Sequence, residues 1–502
     1  MDPVQLQLAA GALRAACEEM GAVLIRSAHS PNIKERRDAS TALFDADGQM
    51  VMQAEHIPVH LGAMPAAVAV VRELTAELPA ESTSGPGQSV AFILNDPYAG
   101  GTHLPDITVI TPVLAGAELL GFAAARAHHA DVGGPTPGSM PAHSRTLADE
   151  GVVIAPRVLD EAAIAELTAR MRRPDQRRAD LRAQLAACRS GERRLLELRE
   201  RLGGERLRAA FAAVLDYAER RTRACIEAMP DGVREARDVL EIDGGELAIV
   251  LRATVDRDRL TLDFSGSAPQ HEGNLNCPLA VTRSACYFAI RVLTDPDIPA
   301  SAGAYRPVEV IAPPGSLLNS RYPAAVAAGN VETSSRVADV VLAAFGQALG
   351  QGTMNNITLG SDEVVYYETI GGGQGACADA DGPSAVHVAM SNTLNTPVEA
   401  LELEYPLRLV EYSLRRGSGG AGAHRGGDGV VREVEALAPL EYSLITERRR
   451  VAPPGAAGGD AGSPGRNLLD GDELPAKAAG RIEPGQRIRI ETPGGGGYGV
   501  AR

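Results

Sequence analysis

From Val4 to Ala28 the apolar residues Leu6, Ala9, Leu13, Ala16, Met20, Val23 and Leu24 recur at the spacing of one helix face, which predicts an amphipathic helix that stops at Ser30-Pro31. From Asp38 to about Met140 the pattern changes. TALFDADGQMVMQA, SVAFILNDPY, DITVITPVLA and ELLGFAAARA are short apolar runs separated by Gly, Pro and Asp, and they predict strands joined by turns. In the first of them, Asp45-Ala46-Asp47-Gly48 predicts a hairpin turn. Residues 159–229 are rich in Ala, Leu, Arg and Glu with Pro174 as their one early proline, so they predict two or three long helices, interrupted at Gly203-Gly204. From Val239 on, period-two stretches such as ELAIVLRATV and RLTLDFSG return. They are accompanied by one helical run near Ser335 to Leu349 and, from Gly417, by a tail dense in Gly and Pro.

This order of elements predicts an α+β chain. It has a β-rich N-terminal metal-binding domain over residues 1–158, a helical middle segment over 159–230 and a large β-rich C-terminal domain with Gly-rich loops over 231–502. A chain of 502 residues exceeds the roughly 250–300 at which a single core stops growing, so more than one packed unit is expected. The 44% hydrophobic and 23% charged residues fit a globular protein rather than a disordered one. A net charge of -15 works against nucleic acid and anionic lipid as partners. No apolar stretch approaches the ~20 residues that span a bilayer, and the N-terminus is acidic where a secretory signal is basic. A cytoplasmic protein without membrane contact is therefore expected. Six scattered cysteines without a CxxC pair predict reduced, mostly buried thiols.

Several catalytic templates fail. The only lysines are Lys34 and Lys477, and neither follows a glycine, so the phosphate loop G-x-x-x-x-G-K-[ST] is absent. Gly417, Gly419 and Gly422 satisfy G-x-G-x-x-G but lead into AHRGGDG instead of a helix, and GGGQGA at 371–376 leads into CADADG. Both predict tight turns. G-x-S-x-G does not occur.

One stretch does gather chemistry, GGTHLPDITVITPVLAGAELLGFAAARAHHADVGG at residues 100–134. If its two apolar runs pair as antiparallel strands about Ala115-Gly116-Ala117-Glu118, Pro105 falls opposite His128. His103, Asp106, His128, His129 and Asp131 then meet at one sheet edge. Side chains alternate along a strand, so only one of His128 and His129 is expected to enter a single site. Two imidazoles with carboxylates suit a divalent ion such as Zn, Mn or Fe, with positions left open for water or substrate. His56 and His60 flank Pro58 in EHIPVHLGAMP and are expected on a loop lining the same cavity. Asp38, preceded by Glu35-Arg36-Arg37, reads on its own as an ion-paired carboxylate. His29, His143, His271, His387 and His424 are isolated and read as structural or surface residues.

ERRDAS, QAEHIPVHLGAMP, NDPYAGGTHLPDIT, AHHADVGGPTPGSMP, GNLNCPLAVTRSA, GNVETSSRVAD, GGGQGA, NTPVEALELEYP, SGGAGAHRGGDG and TPGGGGYG, in this order, resemble the hydantoinase B family. That family includes N-methylhydantoinase B, the C-terminal half of 5-oxoprolinase and the alpha-type subunit of acetone carboxylase. The resemblance runs from about Pro31 to Gly499. It implies a metal-dependent subunit of an ATP-dependent cyclic amide hydrolase that opens hydantoin, N-methylhydantoin or 5-oxoproline-type rings. A hydantoinase A-type partner in a hetero-oligomer would use the ATP and phosphorylate the substrate oxygen. The ligands implied are Asp38 of ERRD, His103 and Asp106 of THLPD, and His128, the first histidine of HHAD. His129 or Asp131 would orient a ligand or carry a proton. The same resemblance implies an alternative, the alpha-type subunit of an ATP-dependent ketone carboxylase acting on acetone- or acetophenone-like substrates. A reading from another class is a non-catalytic assembly protein with a structural metal.

Overall fold

The computed structural model describes residues 1–54, 57–77 and 89–501. Strands β1 (Ala39–Asp45), β2 (Met50–Ala54), β3 (Ala91–Leu94), β4 (Asp106–Ala115), β5 (Glu118–His128) and β6 (Arg157–Leu159) form one sheet in the order β2-β1-β5-β4-β3-β6. Every pairing in it is antiparallel. The near-continuous apolar runs of β4 and β5 arise because both faces of this sheet are covered. Ile107, Val109, Ala123, Ala125 and Ala127 share a core with residues of the helices Pro3–Ser27 and Pro174–Leu202. Ile110, Phe122 and Ala124 point the other way, into a core with the helix Met64–Ala76, as the period of two requires. Alanine on the first face lets the long helix come close. A Cβ on Gly191 of that helix would lie 3.0 Å from Cβ of Ala123 and 2.5 Å from Sδ of Met20.

The opening helix is Pro3–Ser27, with Asp2 accepting a hydrogen bond from the Gln5 amide at 2.9 Å. The helical middle contains Glu161–Thr168, Pro174–Leu202 and Gly204–Glu227, the last two parted at Gly203 with φ of +84°. Two helices correct the sequence reading. Met64–Ala76 lies where strands were expected, and its β-branched content hides a helical set of buried positions at Met64, Ala67, Val68 and Val71. Leu279–Leu293 lies in the region read as strand and turn, and buries Val281, Ala285, Cys286 and Ala289 on one face.

Beyond the helices, Gly232–Ile242, Gly245–Asp256, Arg259–Asp263 and Val308–Ile311 form a four-stranded sheet that packs on Leu279–Leu293 and Ser334–Ala344. Two more sheets, one of four strands and one of five, share a further core contributed by residues between Ile357 and Ile490. The glycines of the G-x-G-x-x-G and GGGQGA stretches serve this last region by backbone stacking. A Cβ on Gly419 would lie 1.9 Å from the Gly426 carbonyl oxygen, and one on Gly373 would lie 2.0 Å from that of Gly427. All six cysteines are free thiols, four of them buried. Among the described residues no helix is long and apolar enough to cross a membrane.

Candidate metal centre

The β4–β5 hairpin builds the centre. Next to the turn its pairs are Ala115 with Glu118 and Leu114 with Leu119, as the sequence predicts. A register shift between Val113 and Leu114 then moves every later pair by one, so Asp106, and not Pro105, lies opposite His128. The loop before β4 folds His103 back on this pair, with the Asp106 amide donating to the His103 carbonyl at 3.1 Å. On the other side β1 runs beside β5, and the His128 amide donates to the Asp38 carbonyl at 3.0 Å.

Three side-chain atoms converge. Nε2 of His103 lies 3.1 Å and Nδ1 of His128 3.2 Å from Oδ1 of Asp106, and the two nitrogens are 3.2 Å apart. All three residues are buried. Among the described residues no other group of three His, Cys, Asp or Glu side chains converges in this way. Ligands about 2.1 Å from one ion would be separated by roughly 3.0 Å in octahedral and roughly 3.4 Å in tetrahedral geometry. The observed triangle matches one face of such a polyhedron. Burial alone would raise the Asp106 carboxyl. The charge of His103 and hydrogen bonds from His103, His128 and His60 outweigh burial and hold it well below the usual carboxylate range. Burial likewise holds His128 below the ordinary imidazole value, favouring the neutral, ligating form.

The surroundings orient this set. Thr102 Oγ1 donates to Asp106 Oδ2 at 2.6 Å, leaving Oδ1 to the histidines. His60 places Nε2 3.4 Å from Asp106 Oδ2 while its Nδ1 meets Ser40 Oγ at 2.9 Å. The His128 ring stacks on Tyr367 with centroids 4.5 Å apart. Asp38, His60, Asn330, Tyr367, Thr369 and Thr393 line the same cavity of about 20 Å³. That volume accommodates an ion or a water but no ring substrate. Nδ1 of His103 and Oδ1 of Asn330 are buried with no hydrogen-bond partner among the described residues.

Of the residues singled out in the sequence, His103, Asp106 and His128 come together, Asp38 borders the cavity without joining the triangle, and His60 reaches Asp106. His56 lies outside the described residues. His129 points to the opposite sheet face, where Nε2 meets Gln184 Oε1 at 2.8 Å and burial pushes its pKa down to about 4. Asp131 holds a loop and a helix start, accepting from the amides of Gly133 at 2.7 Å, Gly138 at 2.9 Å and Arg172 at 3.1 Å. Neither is brought to the cluster; the side chains that reach Asp106 from behind are Thr102 and His60. Sequence reasoning missed Thr102, Asn330 and Tyr367. Thr102 adjoins His103 in GTHLPD, whereas Asn330 and Tyr367 belong to GNVETSS and EVVYYETI, whose proximity to the hairpin is set by long-range packing alone.

Residues 2–501 match the family described as Hydantoinase B/oxoprolinase. The chain is 40% identical to 5-oxoprolinase 1 of Arabidopsis thaliana over 99% of its own length, and spans 42% of that longer protein. It is 31% identical to a Pseudomonas protein assigned as the B-type subunit of a D-/L-hydantoinase, over 99% of this chain and 90% of that one. Among solved structures it resembles the ATP-dependent caprolactamase from Pseudomonas jessenii, with a TM-score of 0.91 and 29% identity over 100% of this chain and 91% of that one. Acetone carboxylase in its nucleotide-free form shares the fold, with a TM-score of 0.86 and 20% identity over 99% of this chain and 76% of the other.

Proposed function

The chain belongs to the hydantoinase B/oxoprolinase family, and from that premise we propose that it is the metal-dependent subunit of an ATP-dependent cyclic amide hydrolase. Its substrate class is a hydantoin, N-methylhydantoin or 5-oxoproline-like ring, activated by a hydantoinase A-type partner that phosphorylates the amide oxygen with ATP. The observation that carries the reading is the triangle of His103 Nε2, Asp106 Oδ1 and His128 Nδ1. The relatives named as 5-oxoprolinase, D-/L-hydantoinase and ATP-dependent caprolactamase support hydrolysis of a cyclic amide. The extra length of the Arabidopsis relative and the naming of the Pseudomonas one as a subunit support a partner and a hetero-oligomer.

In this reading His103, Asp106 and His128 hold a divalent ion of the Zn, Mn or Fe kind, with Asp38 in reach of the same cavity. When bound, such an ion acidifies water and polarises an oxygen of the substrate. Thr102 keeps the Asp106 carboxylate turned toward the histidines. The hydrogen bond between His60 Nδ1 and Ser40 leaves His60 Nε2 facing Asp106, where a proton on that nitrogen supports the carboxylate charge. Asn330 offers a carbonyl oxygen with no other partner among the described residues, an acceptor that matches the N–H of a ring amide. Water adds to the activated carbon, the C–N bond breaks with the ring nitrogen leaving as an amine, and a second water hydrolyses the resulting acyl phosphate to the carboxylic acid and phosphate. A ring is larger than this cavity of about 20 Å³, so admitting one requires the lining to open.

The test is to co-purify the chain with its hydantoinase A-type partner and follow ADP, phosphate and ring-opened product on 5-oxoproline and hydantoin. His103→Ala should abolish ring opening and leave the complex assembled. Carbon from labelled bicarbonate appearing in an acid product would replace the hydrolase reading with the ketone carboxylase one. Full turnover by His103→Ala would instead leave the metal a structural role in an assembly protein.

A further inference from the structure

On the far side of the β5 end from the metal cluster, a second cavity of about 200 Å³ opens at the start of the helix Pro174–Leu202. Arg172, Arg173, Gln176, Arg177 and Tyr405 are among the side chains that line it. Arg177 is 1% exposed, and its Nε and Nη1 are buried with no hydrogen-bond partner among the described residues. Its remaining nitrogen, Nη2, serves Gln176 Oε1 and lies 3.4 Å from Asp180 Oδ2. A buried guanidinium with two unused donor atoms is costly, so the arrangement calls for an acceptor.

The helix start adds to that demand. Among the described residues no side chain caps it, and Gln176 and Arg177 of its first turn line the cavity; the Arg177 amide is bonded to the Arg173 carbonyl, so the Gln176 amide and the positive end of the helix dipole are what the helix start brings there. The two carboxylates in the lining do not meet the need. Asp131 is already taken by the amides of Gly133, Gly138 and Arg172 and by the Arg172 guanidinium at 3.1 Å, and Glu404 is exposed. Arg173 carries no carboxylate partner among the described residues, only a hydrogen bond to the Glu363 carbonyl at 3.3 Å.

We propose that this cavity, built by Arg172, Arg173, Arg177 and the uncapped start of the helix Pro174–Leu202, binds a small oxyanion of the phosphate class. Its volume holds such an anion with some of its water, given about 30 Å³ per water molecule. The forked donors of arginine and the Gln176 amide suit tetrahedral oxygens. The site stands apart from the metal cluster and does not depend on the activity proposed above.

Calorimetric titration of the full chain with inorganic phosphate at constant ionic strength tests it, repeated with acetate and in the Asp106→Asn chain. One saturable phosphate site that survives Asp106→Asn is expected, with acetate binding more weakly. Arg177→Gln should weaken phosphate by about tenfold or more, as loss of a charge-assisted hydrogen bond does, and Arg173→Gln by several-fold. Arg178→Gln, on the same turn but paired with Asp175 and outside the lining, should change nothing. If Arg177→Gln does not fold, the Arg173→Gln titration decides alone. Absence of saturable binding, equal affinity in the folded variants, or binding lost with Asp106→Asn would overturn the proposal.

Discussion

His128 and His129 are neighbours in the chain, yet one ring faces Asp106 and the other Gln184 across the thickness of the sheet. Metal analysis separates them directly. Purified protein should hold about one first-row divalent ion per chain; Asp106→Asn and His128→Ala should lose it, and His129→Gln should retain it. Unchanged content in the first two variants would refute the ligand set. Thr102→Val removes the 2.6 Å hydrogen bond to Asp106 Oδ2 without touching a ligand atom. It should weaken metal affinity by roughly 10- to 100-fold, measured by competition with a chelator, while thermal unfolding of the metal-free chain stays close to wild type. The cluster itself is legible in the sequence because a hairpin must bring the ends of its two strands together, and alternation along β5 must separate His128 from His129. Which of the two turns inward depends on the register, and therefore on a shift at Val113 and Leu114 that no local pattern announces.

The same division holds for elements. The opening helix, the β4–β5 hairpin and the long middle helices follow from period and composition, because each buries a face whose spacing is written locally. The helix Met64–Ala76 and the π-helical turn Gly329–Thr333 do not, since one is masked by valine and the other exists only through its neighbours. That turn carries Asn330 to the cavity wall, and π-turns of this kind recur at functional sites. Gly329 makes it possible: a Cβ there would lie 1.8 Å from the Asn276 carbonyl oxygen and 2.5 Å from its carbon, so no side chain fits without backbone movement. Gly329→Ala should therefore destabilise the chain by about 1–3 kcal/mol, the usual cost of overpacking, and lower ring opening by more than the loss of folded protein explains. Equal unfolding midpoints for Gly329→Ala and wild type would contradict this account.

At the scale of the whole molecule the cavity is where separate sheets meet, and the charges buried to achieve this set a pH dependence. Glu150 accepts hydrogen bonds from Val326, Ala327 and Ser144, yet burial pushes its carboxyl up to about 7. Glu332, a fully buried residue of the π-turn itself, is pushed up to about 8, first by burial and then by the charge of Glu447. Both folded-state values lie above the 4.5 of the free side chain. The folded chain therefore holds more protons than the unfolded one in between, and the stability contributed is present below pH 4.5 and lost as pH rises through the folded values. Above the ordinary imidazole range the histidines held low by burial are neutral in both states and add no slope. The unfolding midpoint of the metal-free chain should thus fall between about pH 6.5 and pH 8. Glu332→Gln keeps the Oε1 acceptor that meets the Met354 amide at 3.1 Å and removes the ionisation. Its decline should end near the Glu150 value of about 7, leaving it more stable than wild type at pH 8. A decline in Glu332→Gln that matches wild type up to pH 8 would show that the alkaline loss comes from another buried group.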